Sequence, residues 1–456
     1  MNDYEKYFDW PNVHLEHFYI FLVLAALASL YLVIKSNSRF KIEIFFLTFY
    51  LLTGNINSLL TLKIPGFSLF TIQPERFIFL LLSFFILRKT LGSSNKLRLT
   101  LRKTMPYFEV ALFAYVILVI VSVLVNFYHI GVAEGIKTIL ETLTFLVLII
   151  ALRLMADKAS YDLIGKTIII GAVVSSVVSL IQLSIDPYFL RIGDARLAFG
   201  NVLRSNGIFD TEYFNSYYLI VAIAWTLISV KNNQLKILLI CLFSLGVLSS
   251  FQRMSWVILI LVLITYLVFI KKMAIEKLLL MGLSSLALVL SLSIFYYQDL
   301  MNSSFIKERM SDSVDGRKGY YSMVLDNIGK KPLFGYGDLK NEVYYVNLLR
   351  ITRSRDRATA TTGDLHSGYF QALFLYGIPA FISFTLFVLL AVFYYSRSFY
   401  DNLYFVIPFL VSILYLIGNL TNNFLFLKYI SVLYAIHIGI GMGINNIKEQ
   451  ISFKGQ

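Results

Sequence analysis

The feature that most constrains this chain is a succession of apolar runs, each about 20 residues long, the length a helix needs to cross a bilayer. The runs fall at 17–34, 42–60, 74–90, 106–127, 135–155, 161–184, 212–230, 235–250, 254–270, 277–297, 366–396, 402–419 and 425–444. In lipid, backbone polar groups can be satisfied only within helices or closed barrels. Unbroken runs of this length select helices. The composition agrees, with 58% hydrophobic and only 15% charged residues, where a soluble chain is nearer half and a quarter. The expected fold class is an all-α polytopic membrane protein with about 12–14 transmembrane helices. Transmembrane helices are expected in 1–297, followed by a long polar loop at 298–365 and C-terminal helices in 366–456.

The basic residues set an expected orientation. The linker after the third run carries Arg88, Lys89, Lys96, Arg98, Arg102 and Lys103 with no acid, which marks it as cytoplasmic. Alternating from there also puts Lys158, Lys166, Lys231, Lys236, Lys271, Lys272 and Arg397 inside. The outer side then receives 185–211, the short turn at Arg253 and the loop 298–365. The front of the chain leans acidic, with Asp3, Glu5 and Asp9, so no signal peptide is expected. The net charge of +13 reads as topology rather than nucleic-acid binding. The single cysteine, Cys241, lies in an apolar run and is expected to serve packing.

The loop 298–365 and the start of the next run hold most of the residues suited to chemistry. Residues 317–329 look like an amphipathic helix, ended by Lys331-Pro332, with Gly335 and Gly337 permitting a tight turn. Arg350, Arg353 and Arg357 share one face if that segment is helical. Asp364 is placed to cap the helix that follows, which would put His366 in its first turn. There the helix dipole favours a neutral imidazole, the state a general base requires. The other histidines (His14, His17, His129 and His437) form no metal-ligand spacing, so no metal is expected.

Further arginines sit at the outer ends of other runs. Arg191, Arg196 and Arg204 lie in the second outer loop, Arg253 in a tight turn, and Arg76 after Gln73-Pro74-Glu75. Charges at such depth are costly and are often functional, and arginine suits phosphate recognition. Paired carboxylates for glycoside hydrolysis and a Gly-rich nucleotide loop are not evident, so an ATP-driven process is disfavoured.

These residues also form a recognisable series. It runs Asp315-Gly316-Arg317, then Pro332-Leu333-Phe334-Gly335-Tyr336-Gly337, then His366-Ser367-Gly368, then Tyr376-Gly377-Ile378-Pro379. It resembles the shared region of the O-antigen ligase and O-antigen polymerase (Wzy-type) superfamily. His366-Ser367, nine residues and Gly377 match the ligase form, except that Ala380 stands where the last glycine is expected. Arg204-Ser205-Asn206-Gly207-Ile208-Phe209 resembles the family's Arg-x-x-Gly-x-Phe stretch, and Ser249 to Arg253 its Ser-x-x-Arg. Arg196 to Gly207 and Arg357 to Gly368 fit the Arg-x10-Gly pattern that polymerases of this type carry in two outer loops.

The resemblance implies a membrane glycosyltransferase of GT-C-like architecture, without cofactor or metal, in the bacterial cytoplasmic membrane. Its donor would be an oligosaccharide on undecaprenyl pyrophosphate. His366 would be the general base; Arg253, Arg204, Arg196, Arg317, Arg357 and Arg76 would bind the pyrophosphate or glycan; and Pro332, Gly335, Gly337 and Gly377 would be structural. The implied partners are the lipid-linked oligosaccharide, the bilayer and a chain-length regulator protein. The favoured reading is a polymerase, the nearest alternative a ligase, and the alternative of another class a lipid-linked glycan flippase. The outer placement of the site residues and the absence of visible repeats count against the flippase.

Overall fold

The computed structural model describes residues 15–60, 62–63, 71–72, 74–92, 107–193, 195–199, 202–273, 314–337, 365, 367–399 and 402–453. In chain order the helices are α1 (Leu15–Lys35), α2 (Lys41–Thr53, extended by a tighter turn Gly54–Leu60), α3 (Pro74–Gly92) and α4 (Tyr107–Val125). Next come α5 (Val132–Met155), α6 (Lys158–Ser184), α7 (Glu212–Ser229), α8 (Asn233–Ser249) and α9 (Arg253–Thr265). The last are α10 (Val314–Ile328), α11 (Gly368–Ser398), α12 (Val406–Thr421) and α13 (Lys428–Phe453). Two short antiparallel ribbons, β1 (Leu62–Lys63) with β2 (Thr71–Ile72) and β3 (Leu197–Phe199) with β4 (Val202–Leu203), are the only strands among the described residues.

Eight of the described helical stretches are long and apolar enough to cross a membrane, and Asn233–Ser249 and Lys428–Ile444 are shorter apolar helices. The chain is an all-α polytopic membrane protein. Every expected span coincides with a helix except 277–297, which lies outside the described residues. The helix expected at 317–329 is α10. Cys241 lies on an exposed face of α8, not in the interior.

Hydropathy alone does not say which face of an all-apolar helix points inward. In α1 the buried positions are Phe18, Leu22, Ala25, Ser29 and Val33, at helical spacing, while Tyr19, Ile20, Val23, Leu24 and Leu27 are exposed. An apolar face left outward suits lipid rather than water. By contrast α7 is buried on every side from Phe214 to Leu227 and packs against α6, α8, α9, α12 and α13. A helix apolar all round belongs at the centre. Near its end, Trp225 Nε1 donates to His437 Nε2 at 2.9 Å, and His437 Nδ1 lies 2.6 Å from the Leu433 carbonyl. His437 is therefore a neutral core residue with both nitrogens occupied.

The Pro-Leu-Phe-Gly-Tyr-Gly turn and the Gly-Ile-Pro segment meet. Inside α11, Gly377 adopts φ +84°, a left-handed conformation that breaks the helix. Pro379 has no N–H for the Leu375 carbonyl, and the Ile378 N–H turns away to the Pro332 carbonyl at 2.8 Å. The carbonyls thus freed, on Phe374 and Leu375, accept instead from Tyr336 N–H at 2.9 Å and Gly337 N–H at 2.8 Å. The exchange needs very close backbone approach: a Cβ on Gly377 would lie 2.5 Å from the Leu333 carbonyl oxygen, and one on Gly335 (φ +59°) 2.5 Å from that of Phe374. Ser122 Oγ of α4 donates to the Phe334 carbonyl at 2.6 Å, and Nδ2 of Asn126, the residue after α4, to the same oxygen at 3.2 Å. The Tyr336 ring stacks on Phe374 with centroids 4.8 Å apart.

Gly377→Ala should destabilise the fold by roughly 1–3 kcal/mol, from the left-handed backbone and the lost close approach. Gly329→Ala, where nothing lies within 4 Å of an added Cβ, should leave thermal unfolding of the detergent-solubilised protein unchanged. Equal melting temperatures for the two variants would contradict this account.

Candidate functional site

The connection between α6 and α7 is held down by Gln182. Its Oε1 accepts from the Asn206 and Gly207 N–H groups, both at 2.9 Å, and its Nε2 donates to the Phe189 and Gly207 carbonyls at 2.9 and 3.0 Å. All the hydrogen-bonding capacity of that amide goes into fixing one segment. The β3–β4 ribbon then brings Arg196 and Arg204 side by side, with Arg204 N–H donating to the Arg196 carbonyl at 2.9 Å.

Both arginines converge on Glu212, the first residue of α7, which follows the capping Thr211. The Glu212 side chain is 1% exposed. Its Oε1 receives Arg204 Nη1 at 2.7 Å and Gln252 Nε2 at 3.0 Å, with Arg196 Nη1 at 3.8 Å. The carboxylate sits at the positive end of the central helix, where a negative charge is stabilised. A third guanidinium, buried Arg191, donates to the Pro187 carbonyl at 2.6 Å and the Arg204 carbonyl at 2.7 Å. Burial pulls its pKa down to about 10, opposed by the Glu212 carboxylate, so Arg191 stays cationic at neutral pH. Among the described residues, neither Arg204 Nε nor Arg191 Nη1, both buried, has a hydrogen-bond acceptor. Arg204 and Arg196 thus share the Glu212 carboxylate, while Arg191 feels both Glu212 and Asp186, and two guanidinium donors have no acceptor among the described residues.

The turn between α8 and α9 locks onto the same place. Ser205 and Ser249 hydroxyls lie 2.6 Å apart, Ser205 N–H donates to the Ser249 carbonyl at 3.2 Å, and Ser216 Oγ donates to Ser250 Oγ at 2.7 Å. Phe251, with φ +52°, makes the turn tight. Its geometry puts Gln252 on Glu212 and leaves Arg253 exposed as the first residue of α9.

A third helix start joins this end of the bundle. Ser367 caps α11: its Oγ accepts from Phe370 N–H at 3.4 Å and donates to the Asn419 carbonyl at 3.0 Å, while Gly368 N–H donates to the Asn422 carbonyl at 2.9 Å. The cap is therefore Ser367 and not Asp364, and the first helical residue comes after His366, not before it. A serine one residue before the helix satisfies the same orphan donors and is tied to α12 as well. Tyr217, a little over one turn into α7, packs on Phe424 with ring centroids 3.9 Å apart. Phe424 belongs to the α12–α13 connection that also supplies Asn422, so the starts of α7 and α11 share a neighbour. On α10, Tyr321 stacks on Phe370 at 4.4 Å, laying that helix across the start of α11.

The structure thus brings together Arg196 and Arg204 and, through Gln252, Arg253. Arg317 lies on α10, one turn before Tyr321, and its side chain is outside the described residues, as are His366 and Arg357 entirely. Arg76 does not join the cluster; it lines a different cavity, with Glu141 and Lys428. Pro332, Gly335, Gly337 and Gly377 form the turn and helix break described above. Among the described residues no three His, Cys, Asp or Glu side chains come together as a metal site. Sequence reading missed Glu212 and Gln182, and it named Gln252 and Ser367 only within motifs, without the contacts they make. The one available signal for Glu212 was its place just after a Thr at a helix start.

Glu212→Ala should cost roughly 3 kcal/mol of stability, because it leaves buried guanidinium charge without its carboxylate. The double variant Glu212→Ala/Arg204→Ala should cost clearly less than the two single variants added together, as measured by thermal unfolding in detergent. Strict additivity would remove the case that the two act as one unit.

A search of curated proteins found no match. Residues 237–385 match the family described as O-antigen ligase. The matched stretch contains most of α8, all of α9 and α10, the turn at 332–337 and the break in α11, together with Arg253, Arg317, Arg357 and His366; it begins after Arg196, Arg204 and Glu212. The match covers about a third of the chain and supports membrane glycan processing of the O-antigen ligase/polymerase type.

Proposed function

We propose that this protein polymerises oligosaccharide repeat units carried on undecaprenyl pyrophosphate, at the outer face of the bacterial cytoplasmic membrane. The observation that carries the reading is the cluster of Arg191, Arg196 and Arg204 beside the buried Glu212 carboxylate, with two guanidinium donors that have no acceptor among the described residues. Such a cluster suits an anion with several oxygen acceptors, and pyrophosphate fits that requirement. The starts of α7, α9 and α11 add their positive dipole ends to the same region.

In the proposed reaction an acceptor hydroxyl oxygen attacks the anomeric carbon. The bond from that carbon to the pyrophosphate oxygen breaks, with inversion. The hydroxyl proton passes to the imidazole of His366, and the lipid pyrophosphate leaves as an anion. Arg204, Arg196 and Arg253, with Arg317 and Arg357, hold it and stabilise the charge as it develops. The activated donor supplies the driving force, so neither nucleotide nor ion gradient is required. The Arg-x10-Gly spacings at Arg196–Gly207 and Arg357–Gly368 favour the polymerase over the ligase.

Deleting the gene and sizing the surface glycan tests the step. A polymerase leaves single repeats on the final acceptor, whereas polymer stranded on the lipid carrier would mean a ligase, and undelivered units inside the cell a flippase. His366→Ala should abolish activity while the protein remains in the membrane; full-length glycan in that variant would exclude the general-base role. Arg253→Ala should do comparable damage, with Arg253→Lys only a partial rescue. Activity should survive thorough chelation of divalent metals.

A further inference from the structure

The end of the bundle away from the arginine cluster carries a second concentration of charge. Helix α6 runs from Lys158 to Ser184, and Gln182, which anchors the segment bearing the cluster, lies roughly 35 Å along the axis from Lys158. That span is comparable to the thickness of a hydrocarbon core, so the two ends face opposite leaflets. At the far end the turn between α1 and α2 and the start of α6 wall a cavity of about 570 Å³, the size of a small-molecule site.

Several polar groups here are occupied by the fold itself. The buried Ser38 and Ser160 hydroxyls lie 3.0 Å apart and tie the turn to α6. Lys41 Nζ donates to the Ile34 and Ser36 carbonyls at 3.2 and 3.3 Å and closes the end of α1. Asp157 Oδ1 accepts from Ser160 N–H at 2.6 Å and caps α6. Beneath them Val33, Ile44 and Leu163 form a small apolar core. Lys35, Arg39, Lys158 and Lys166 also line the cavity, all are exposed, and none makes a salt bridge among the described residues. The acids in the wall are Asp157, engaged as the cap, and Asp162, one turn from both Lys158 and Lys166 and felt by each.

Topology asks only for basic residues on one side of the membrane; it does not ask that three segments gather them round one recess. Lys166 lies two turns inside α6, about 12 Å along the axis from Lys158, where an outward charge is costly without a partner. From Tyr31 an outward apolar row runs back along α1 through Leu27 and Leu24, each more than half exposed. Cations at one end of an apolar row match an anionic head that carries hydrocarbon chains. Basic recesses between helices at a membrane surface bind such heads.

We propose that this cavity binds the phosphate-bearing head of an anionic phospholipid in the leaflet opposite the arginine cluster, with Arg39, Lys158 and Lys166 around the head and the acyl chains along α1. The orientation expected from the basic connections makes that leaflet the cytoplasmic one. The site is independent of the glycan reading and would hold for any reaction at the other end of the bundle.

The test titrates the full chain in detergent with phosphatidylglycerol and counts bound lipid by native mass spectrometry, with phosphatidylcholine as the reference. The tightest phosphatidylglycerol should bind wild type at least about tenfold more strongly than phosphatidylcholine. Lys166→Gln should weaken it roughly fivefold, the worth of one basic side chain near an anionic lipid, and Arg39→Gln with Lys166→Gln roughly twentyfold. Asp162→Asn should tighten it several-fold, which a folding defect cannot do. Lys231→Gln, a basic residue between α7 and α8 outside the cavity, should change it by less than about twofold.

Equal binding of phosphatidylcholine would overturn the proposal. So would equal weakening by Lys166→Gln and Lys231→Gln, which is what diffuse attraction to a basic surface gives. Displacement of phosphatidylglycerol by inorganic phosphate at concentrations comparable to the lipid would make the cavity a soluble-anion site and equally overturn it.

Discussion

A helix broken inside a membrane exposes carbonyls that no water can reach, and each unsatisfied group costs several kcal/mol. The arrangement at Gly377 answers that constraint. The Phe374 and Leu375 carbonyls are taken by the Tyr336 and Gly337 N–H groups, and the displaced Ile378 N–H finds the Pro332 carbonyl. Backbone replaces backbone, so the break is stable only while the turn is docked, and the turn is held only while the helix is broken. Ser122 of α4 and Asn126 just after it then bind one of the turn's own carbonyls, that of Phe334. Three parts of the chain distant in sequence are joined by groups that every residue carries.

A second constraint acts at the start of α7. A carboxylate 1% exposed requires compensation, and here it comes from both flanking connections. Arg204 and Arg196 reach it from the α6–α7 segment and Gln252 from the α8–α9 turn. Because α7 is buried on every side, Glu212 has a nearly fixed position, and the groups that bind it inherit that position. Precise placement of cations on connecting segments, which are otherwise the most mobile parts of a membrane protein, follows from anchoring them to the least mobile helix.

Much of the helical layout was legible in the sequence, since spans of about 20 apolar residues have few alternative structures in lipid. The motif residues were legible too, but not their relation. Nothing in Pro332–Gly337 or in Gly377–Pro379 says that one fills the backbone vacancies of the other; that depends on positive φ at Gly335 and Gly377. Glu212 was passed over because acids in the outer segments look scattered along the chain. Its partners at Arg204 and Gln252 are 8 and 40 residues away, beyond any local pattern. Asp364, two residues before His366, was the expected cap of α11, whereas Ser367 does the capping because its hydroxyl can both accept from Phe370 N–H and donate to Asn419 on α12. An acceptor-only carboxylate cannot do both.

The docked turn has a consequence for the residues between it and α11. Gly337 is bonded to Leu375, and the helix carrying Leu375 begins at Gly368, a separation of about 10 Å along the axis. The stretch 338–364 is therefore stitched at both ends to one short length of a single helix. Closing a longer insert between fixed points costs little more than closing a short one. An insertion in that interval therefore leaves both of its anchor points on α11, and the frame they belong to, where they are.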